Sequence, residues 1–281
     1  MSVVSSSVWL STTTAQAQSA PTAEDELRRG LQLIQQGKLN DAANAFQQAV
    51  TLNPGLAAAH YNLGLARRQQ GKLQAAADAF YQATQVQPNF ALAYANLGAV
   101  LLEGNNLALA NAYLRRALEL DANLGLAHYN LGLVLIRQNQ LSEAIETLQR
   151  AVQIKANVPE AHYNLGVAYA QQGKTNEAIA ALRRAVQLNS RYREAHYELG
   201  KLLFVQNNLE EALESFRLSA VSDSNYPNAY YGAGLVFLRL NRYADAEKMM
   251  QFARDLFALQ GNPEWAARAE QYLQQARSRS R

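Results

Sequence analysis

The side chains with the strongest claim to reactivity are four histidines, His60, His128, His162 and His196; cysteine is absent. An imidazole can move a proton near neutral pH or ligate a metal. His128, His162 and His196 are 34 residues apart, and His60 lies two such steps before His128. Even spacing puts them at one repeated structural position instead of bringing them to one point. Neighbouring packed helical units stand about 8–10 Å apart. At most two of these imidazoles can share an ion, whereas a zinc site wants three or four ligands. Each His is therefore read as a core or half-buried side chain beside a partner helix. Without cysteine there is no thiolate nucleophile, thiolate metal site or disulfide. No glycine-rich loop joins a strand to a helix to cradle phosphate, and no strand pattern supports a nucleotide-binding sheet. The expectation is a chain with no catalytic, cofactor or metal site, and thus no enzyme.

The elements carrying these histidines repeat. A-H-Y-N-L-G occurs at 59–64, 127–132 and 161–166, with near-copies A-Y-A-N-L-G at 93–98 and A-H-Y-E-L-G at 195–200. The closing glycines, Gly64, Gly98, Gly132, Gly166 and Gly200, are 34 apart, and the same step lands on Gly30 and Gly234. This divides residues 23–260 into seven units: 23–56, 57–90, 91–124, 125–158, 159–192, 193–226 and 227–260. In 57–90, Ala59, His60, Leu63 and Gly64 share one helical face. A break follows at Gln70-Gly71-Lys72, and a second apolar face runs through Leu73, Ala76, Phe80 and Ala83. The i, i+3, i+4, i+7 spacing is that of an amphipathic helix. So short a break makes the two helices an antiparallel pair, and Pro88 stops the second.

Small and large residues alternate at fixed places. The twentieth position is Ala42, Ala76, Ala110, Ala144, Ala178, Ala212 and Ala246. The twenty-fourth is large and apolar: Phe46, Phe80, Leu114, Leu148, Leu182, Phe216 and Met250. The twenty-seventh is Ala in every unit except the sixth, which has Ser219. Gly at the eighth position and Ala at the twentieth let the two helices approach closely, as an interdigitated interface requires. Fraying is expected at the ends of the array and near unit six, where Ser219 replaces the packed Ala. Residues 261–281 read as a capping helix and basic tail. Trp265, Ala266, Ala269, Tyr272 and Leu273 form its apolar stripe, Glu270, Gln274 and Arg277 face away, and Arg279 and Arg281 end it.

The 34-residue period, with Leu-Gly, Ala, large apolar and Ala at fixed offsets, resembles the tetratricopeptide repeat over residues 23–260. The resemblance implies an all-α, right-handed α-solenoid of antiparallel helix pairs. It also implies that first helices line a concave groove, that second helices form the outer wall, and that the groove binds proteins or peptides. There are departures. The fourth position, often Trp in the family, is His, Tyr94, Tyr230 or Glu26, and Arg29 and Ala233 replace the seventh-position Leu in the outer units.

Helical spacing puts positions five, nine and twelve on one face and two, six, nine and thirteen on an overlapping one, and the resemblance implies that these faces line the groove. The fifth is Tyr61, Tyr129, Tyr163, Tyr197 and Tyr231, with Leu27 and Ala95 in the other units. The sixth is Asn62, Asn96, Asn130 and Asn164, then Glu198; the ninth includes Leu65 and Leu133. Tyr offers a rigid amphipathic contact, and Asn both donates and accepts. The Asn spacing resembles the asparagine ladder in the repeat region of O-linked N-acetylglucosamine transferases. The ordinary alternative is that these residues only order the groove and its water. The family's carboxylate clamp needs Lys or Arg at the second and sixth positions; here only Arg28 qualifies. Glu160, Glu194 and Glu198 make the later groove acidic, so the expected ligand has apolar anchors and a slightly basic end near units five and six.

Composition agrees with an interaction scaffold. The chain is 49% hydrophobic and 17% charged, with net charge +3 and both signs scattered. That is no electrostatic footprint for nucleic acid, and no apolar run approaches the ~18 residues of a membrane span. Two alternatives stay open: an RNA-binding solenoid of the pentatricopeptide kind, and a regulatory or substrate-recruiting subunit of a separate enzyme. Self-association through the end repeats is a further possibility. Residues 1–22 carry no charge, are rich in Ser, Thr and Val, and include Ala15-Gln16-Ala17. They read either as a disordered leader or as the remnant of an export signal. A signal would place the protein in a periplasm or lumen; otherwise it is cytoplasmic.

Overall fold

A computed structural model describes residues 21–280, so residues 1–20, on which both readings of the leader rest, and Arg281 fall outside the described residues, whereas Thr22 caps the first helix and belongs to the fold. Among those residues there are fifteen helices and no strand. They are α1 (Ala23–Gln35), α2 (Leu39–Leu52), α3 (Ala57–Gln69), α4 (Leu73–Val86), α5 (Ala91–Glu103), α6 (Leu107–Leu120), α7 (Gly125–Arg137), α8 (Leu141–Ile154), α9 (Pro159–Gln171), α10 (Thr175–Leu188), α11 (Arg193–Val205), α12 (Leu209–Ser222), α13 (Pro227–Arg239), α14 (Tyr243–Leu259) and α15 (Pro263–Arg279). Consecutive helices pack in pairs and each pair packs on the next, which makes an α-solenoid.

Each pair turns on one residue in the left-handed region. It is Gly37, Gly71 or Gly173 in three units and Asn105, Asn139, Asn207 or Asn241 in the other four, with the asparagines at φ 57° to 60°. Gly and Asn are the residues that enter this region most cheaply. The turn also satisfies the orphan carbonyls at the end of the first helix. After α3, Lys72 N–H donates to Arg67 C=O and Gly71 N–H to Arg68 C=O, both at 2.9 Å.

The eighth-position glycine meets the large residue at position twenty-four, and in units three and five it also lies close to the backbone of the Ala at position twenty. A Cβ on Gly64 would lie 2.7 Å from the Phe80 ring, and one on Gly132 would lie 2.5 Å from Leu148 Cγ. The seventh-position Leu packs backwards: Leu63 joins Ala42, Ala43 and Phe46 of the preceding unit. Stability therefore comes from burial within and between neighbouring units.

Polar bonds stitch the same junctions. Each His donates through Nε2 to a carbonyl six residues earlier: His60 to Pro54 at 2.8 Å, His128 to Ala122 at 3.0 Å, His162 to Ala156 at 2.9 Å and His196 to Ser190 at 3.1 Å. Because the partner is a carbonyl, Nε2 carries the proton and Nδ1 is left as an acceptor. In unit seven the Tyr230 hydroxyl does the same at Ser224 C=O, 3.2 Å. Along one edge a Gln amide reaches back to the preceding unit: Gln70 to Asn40, Gln172 to Ser142 and Gln206 to Asn176, at 2.8, 2.9 and 2.8 Å. The Ser219 hydroxyl, fully buried, donates to Arg193 C=O at 3.0 Å. That satisfied bond removes the reason for expecting unit six to fray at this residue.

His196 supplies a pH prediction. Burial holds its pKa below the usual value, against the opposing pull of the Ser190 carbonyl and the Glu214 charge, and its Nδ1 has no partner. A base whose folded pKa is depressed binds more protons in the unfolded chain. Its contribution is fully present above the unfolded pKa of about 6.5 and is lost as pH falls through the folded value. Urea midpoints should fall on acidification from pH 7.5 to 5.5. His196→Gln should flatten that slope; an unchanged slope would show that the group does not titrate with folding.

The last helix runs to Arg279 and covers unit seven with buried Ala269, Leu273 and Ala276. Trp265 stacks on Phe257 with ring centroids 5.8 Å apart. Two side chains expected to face away turn onto α14 instead. Glu270 accepts from Arg254 at 2.8 Å, and Arg277 donates to Glu247 at 2.8 Å. The third, Gln274, donates to Glu270 at 3.0 Å, so the stripe's edges also dock.

Candidate peptide-binding groove

The first helices present their fifth, sixth and ninth positions along one side of the solenoid. The asparagines there are wired into the fold. Each Nδ2 donates to the carbonyl four residues earlier: Asn62 to Ala58 at 2.7 Å, Asn96 to Leu92 at 2.9 Å, Asn130 to Leu126 at 2.9 Å and Asn164 to Glu160 at 2.8 Å. Asn96 and Asn164 also donate to the hydroxyl of the preceding unit's tyrosine, Tyr61 at 3.2 Å and Tyr129 at 3.3 Å. Asn62 and Asn164 are half-buried, whereas Asn96 and Asn130 are 4% and 7% exposed. The closure has a sequence cause. Unit three has Ala95 and Ala99 where its neighbours have Tyr and Leu, both are buried, and α7 comes into direct contact with α5.

The fifth-position tyrosines are all half-buried. Three of them pack on the aromatic residue that closes their own unit: Tyr61 on Phe90 at 5.0 Å, Tyr163 on Tyr192 at 5.0 Å and Tyr197 on Tyr226 at 5.5 Å. Tyr231 meets Trp265 of α15 edge-on at 5.5 Å. The closing aromatics went unread in the sequence, although their recurrence at the thirty-fourth position is a signal. Burial raises the pKa of Tyr61 and Tyr129, and it pushes Tyr163 up to about 12 with help from the charges of Glu198 and Glu194. Tyr192 and Tyr197 are raised too, first by burial. These hydroxyls stay protonated at any physiological pH and keep both donor and acceptor capacity.

The acidic side chains differ in availability. Glu198, half-buried, pairs with Lys201 at 2.7 Å, and Glu194 pairs with Arg193. The same cations lie over aromatic faces, Arg193 over Tyr226 at 4.7 Å and Lys201 over Tyr197 at 5.3 Å. Glu160 is exposed and forms no ion pair among the described residues.

The apolar part of the groove lies at the other end. A recess of about 520 Å³ opens across units one to three, lined by Leu31, Ile34, Asn62, Leu65 and Gln69, with the Arg68–Glu103 ion pair at its edge. Leu31 and Ile34 are 43% and 41% exposed. Leu133, at the equivalent position of unit four, is half-buried where the groove narrows. Among the described residues no group of three or more His, Asp or Glu side chains could hold a metal ion, and no helix is long and apolar enough to cross a membrane.

Solenoid, repeat and groove together define a helical-repeat protein with an open inner face. Family models of the tetratricopeptide repeat match residues 27–90, 67–125 and 163–229, and a further TPR repeat model matches 134–173. The chain belongs to the tetratricopeptide repeat family. Among solved structures it is similar to YrrB, described as a TPR protein with an unusual peptide-binding site. That match has 28% identity and a TM-score of 0.60, covering 69% of this chain and 99% of YrrB. It shares its fold with PilF of Pseudomonas aeruginosa (22% identity, TM-score 0.66, covering 76% and 96%) and with a tetratricopeptide repeat protein of Parabacteroides merdae (16% identity, TM-score 0.64, covering 87% and 98%). Among curated proteins no relative matches.

Proposed function

We propose that the protein is a non-catalytic scaffold whose inner face holds an extended protein segment. The observation that carries this is the recess at Leu31, Ile34 and Leu65, apolar side chains left partly in water on the face that the repeats turn inward. The likeness to YrrB supports the same reading. An apolar side chain of the segment sits in the recess. The Asn62 amide nitrogen is committed to Ala58, so its carbonyl oxygen is the atom that accepts a backbone N–H. Further along, Asn164 and the protonated tyrosines offer the same capacity, and unpaired Glu160 favours a basic residue there. Asn96 and Asn130, buried where α5 meets α7, act by setting the groove's width.

The test is selection of peptides from a displayed random library on the full chain, followed by affinity measurement on Leu31→Glu/Leu65→Glu. Leu31 is exposed and Leu65 is half-buried against the Phe80–Leu97 cluster, so Leu31→Glu alone is measured beside the double variant, and far-UV circular dichroism checks that both keep their helicity. The selected peptides should carry an apolar anchor and lose about tenfold or more in affinity, roughly 1.4 kcal/mol. Peptides that bind the variant equally would overturn the groove reading. An RNA that shifts with the chain at moderate salt, competing with those peptides, would favour the nucleic-acid alternative.

A further inference from the structure

The outer wall holds a second feature, independent of the groove. Between units six and seven, two side chains that fill the junction elsewhere are cut back together. The twenty-eighth position of one unit faces the seventh position of the next. These pairs are Val50 and Leu63, Thr84 and Leu97, Leu118 and Leu131, Val152 and Leu165, and Val186 and Leu199. At the last junction the pair is Ala220 and Ala233. Here a half-open pocket of about 270 Å³ lies between α12, α13 and α14, lined by both alanines together with Phe216, Tyr230, Phe237 and Met249.

The equivalent place between units one and two shows what the substitutions change. There a shallow depression is bordered by Arg67, Lys72, Asp78 and Gln82 around Val50 and Leu63. At the last junction the position of Arg67 is Phe237 and that of Gln82 is Phe252. The lining has become apolar while its floor has been removed. Phe252 is 56% exposed at the mouth, 5.6 Å from the Tyr230 ring. The two charges at the rim are already matched on their own helices, Arg217 with Glu214 at 2.6 Å and Asp245 with Arg242 at 2.7 Å. Arg242 also lies over Phe237 at 4.6 Å.

We infer that this cavity is a binding site for a neutral, compact apolar ligand of one or two rings. A dry apolar cavity of about 150 Å³ accommodates benzene, so this one admits a larger guest, held by dispersion against aromatic and Met side chains. With both rim charges neutralised, nothing there recognises an ion. The paired alanines and the aromatic rim make sense as a receptacle.

The test uses the full chain with ¹³C-methyl methionine labelling and indole as the probe, with benzoate as the charged control. Indole should shift the Met249 methyl resonance saturably and raise Tm, and benzoate should do neither. Ala233→Leu, which restores the residue of the five preceding units, should raise Tm without ligand and weaken indole binding at least tenfold. Ala220→Val is the milder version should leucine prove too large to fold. The proposal fails if indole leaves Met249 unmoved up to its solubility limit. It fails equally if both filling variants bind indole as the parent does. Either failure leaves the groove reading standing, since Leu31 and Leu65 lie at the other end of the array, in units one and two.

Discussion

Replacing Gly132 with valine should destabilise the array by about 3 kcal/mol, near the upper end of overpacking costs. A Cβ at this residue would lie 2.5 Å from Leu148 Cγ and 2.7 Å from its Cδ2, and Leu148 is fully buried with no space to retreat into. Valine recovers a few tenths of a kcal/mol of helix propensity over glycine, far too little to offset the clash. Gly132 is in α7, midway along the solenoid, and a repeat array is coupled only through its neighbours. Forcing α7 away from α8 should uncouple the units on either side. Urea unfolding followed by far-UV circular dichroism should change from one transition to two, each with a smaller dependence on denaturant. Leu148→Ala alone should cost about 2–5 kcal/mol, yet combined with Gly132→Val it removes the atoms that clash. The double variant should be clearly more stable than the sum of the single losses implies. Strict additivity would show that the two side chains do not share that space.

This pairing also marks how far the sequence could be read. The period and the antiparallel pairs were legible because the burial of a helical face imposes the same small and large residues every turn of the array. The partner of Gly132 was not legible. Gly at position eight and Ala at position twenty both announce close approach, and only coordinates show that the glycine's space is taken by position twenty-four. For the proposed groove, the sequence puts Tyr61, Asn62 and Leu65 on one helical side, but the approach of α7 to α5 follows from Ala95 and Ala99 together and from no single residue. An Asn that also caps its neighbour's hydroxyl looks the same in sequence as one free to meet a ligand. Ser219 taught the converse lesson: a polar residue in an apolar register reads as a flaw until its hydroxyl is seen to reach Arg193 C=O. The cavity was half visible, since Ala233 stands out as a departure but Ala220 matters only once the two are known to face each other.

Leu273→Ala should also cost about 3 kcal/mol, because the side chain is fully buried and a Leu-to-Ala change in a core leaves a cavity. The reach of the damage should differ entirely from that of Gly132→Val. Leu273 is in α15, which packs on α14 and touches α13 through Trp265 and Tyr231. Loosening it exposes Phe257 and Tyr231, so light scattering should show concentration-dependent association. Native-state hydrogen exchange should then speed up in α13, α14 and α15, while α1 to α10 keep their protection. The boundary between the two regimes should fall between α12 and α13. There Ala220 and Ala233 line a half-open pocket where the other junctions bring larger side chains together, so less side-chain dispersion is shared across it. Filling it with Ala233→Leu should move the boundary towards α11 and spread the loss over more units, each less affected. If the parent array loses protection evenly from α1 to α15, the last junction is as strong as the rest, and the weak-link reading of the Ala220–Ala233 pair fails.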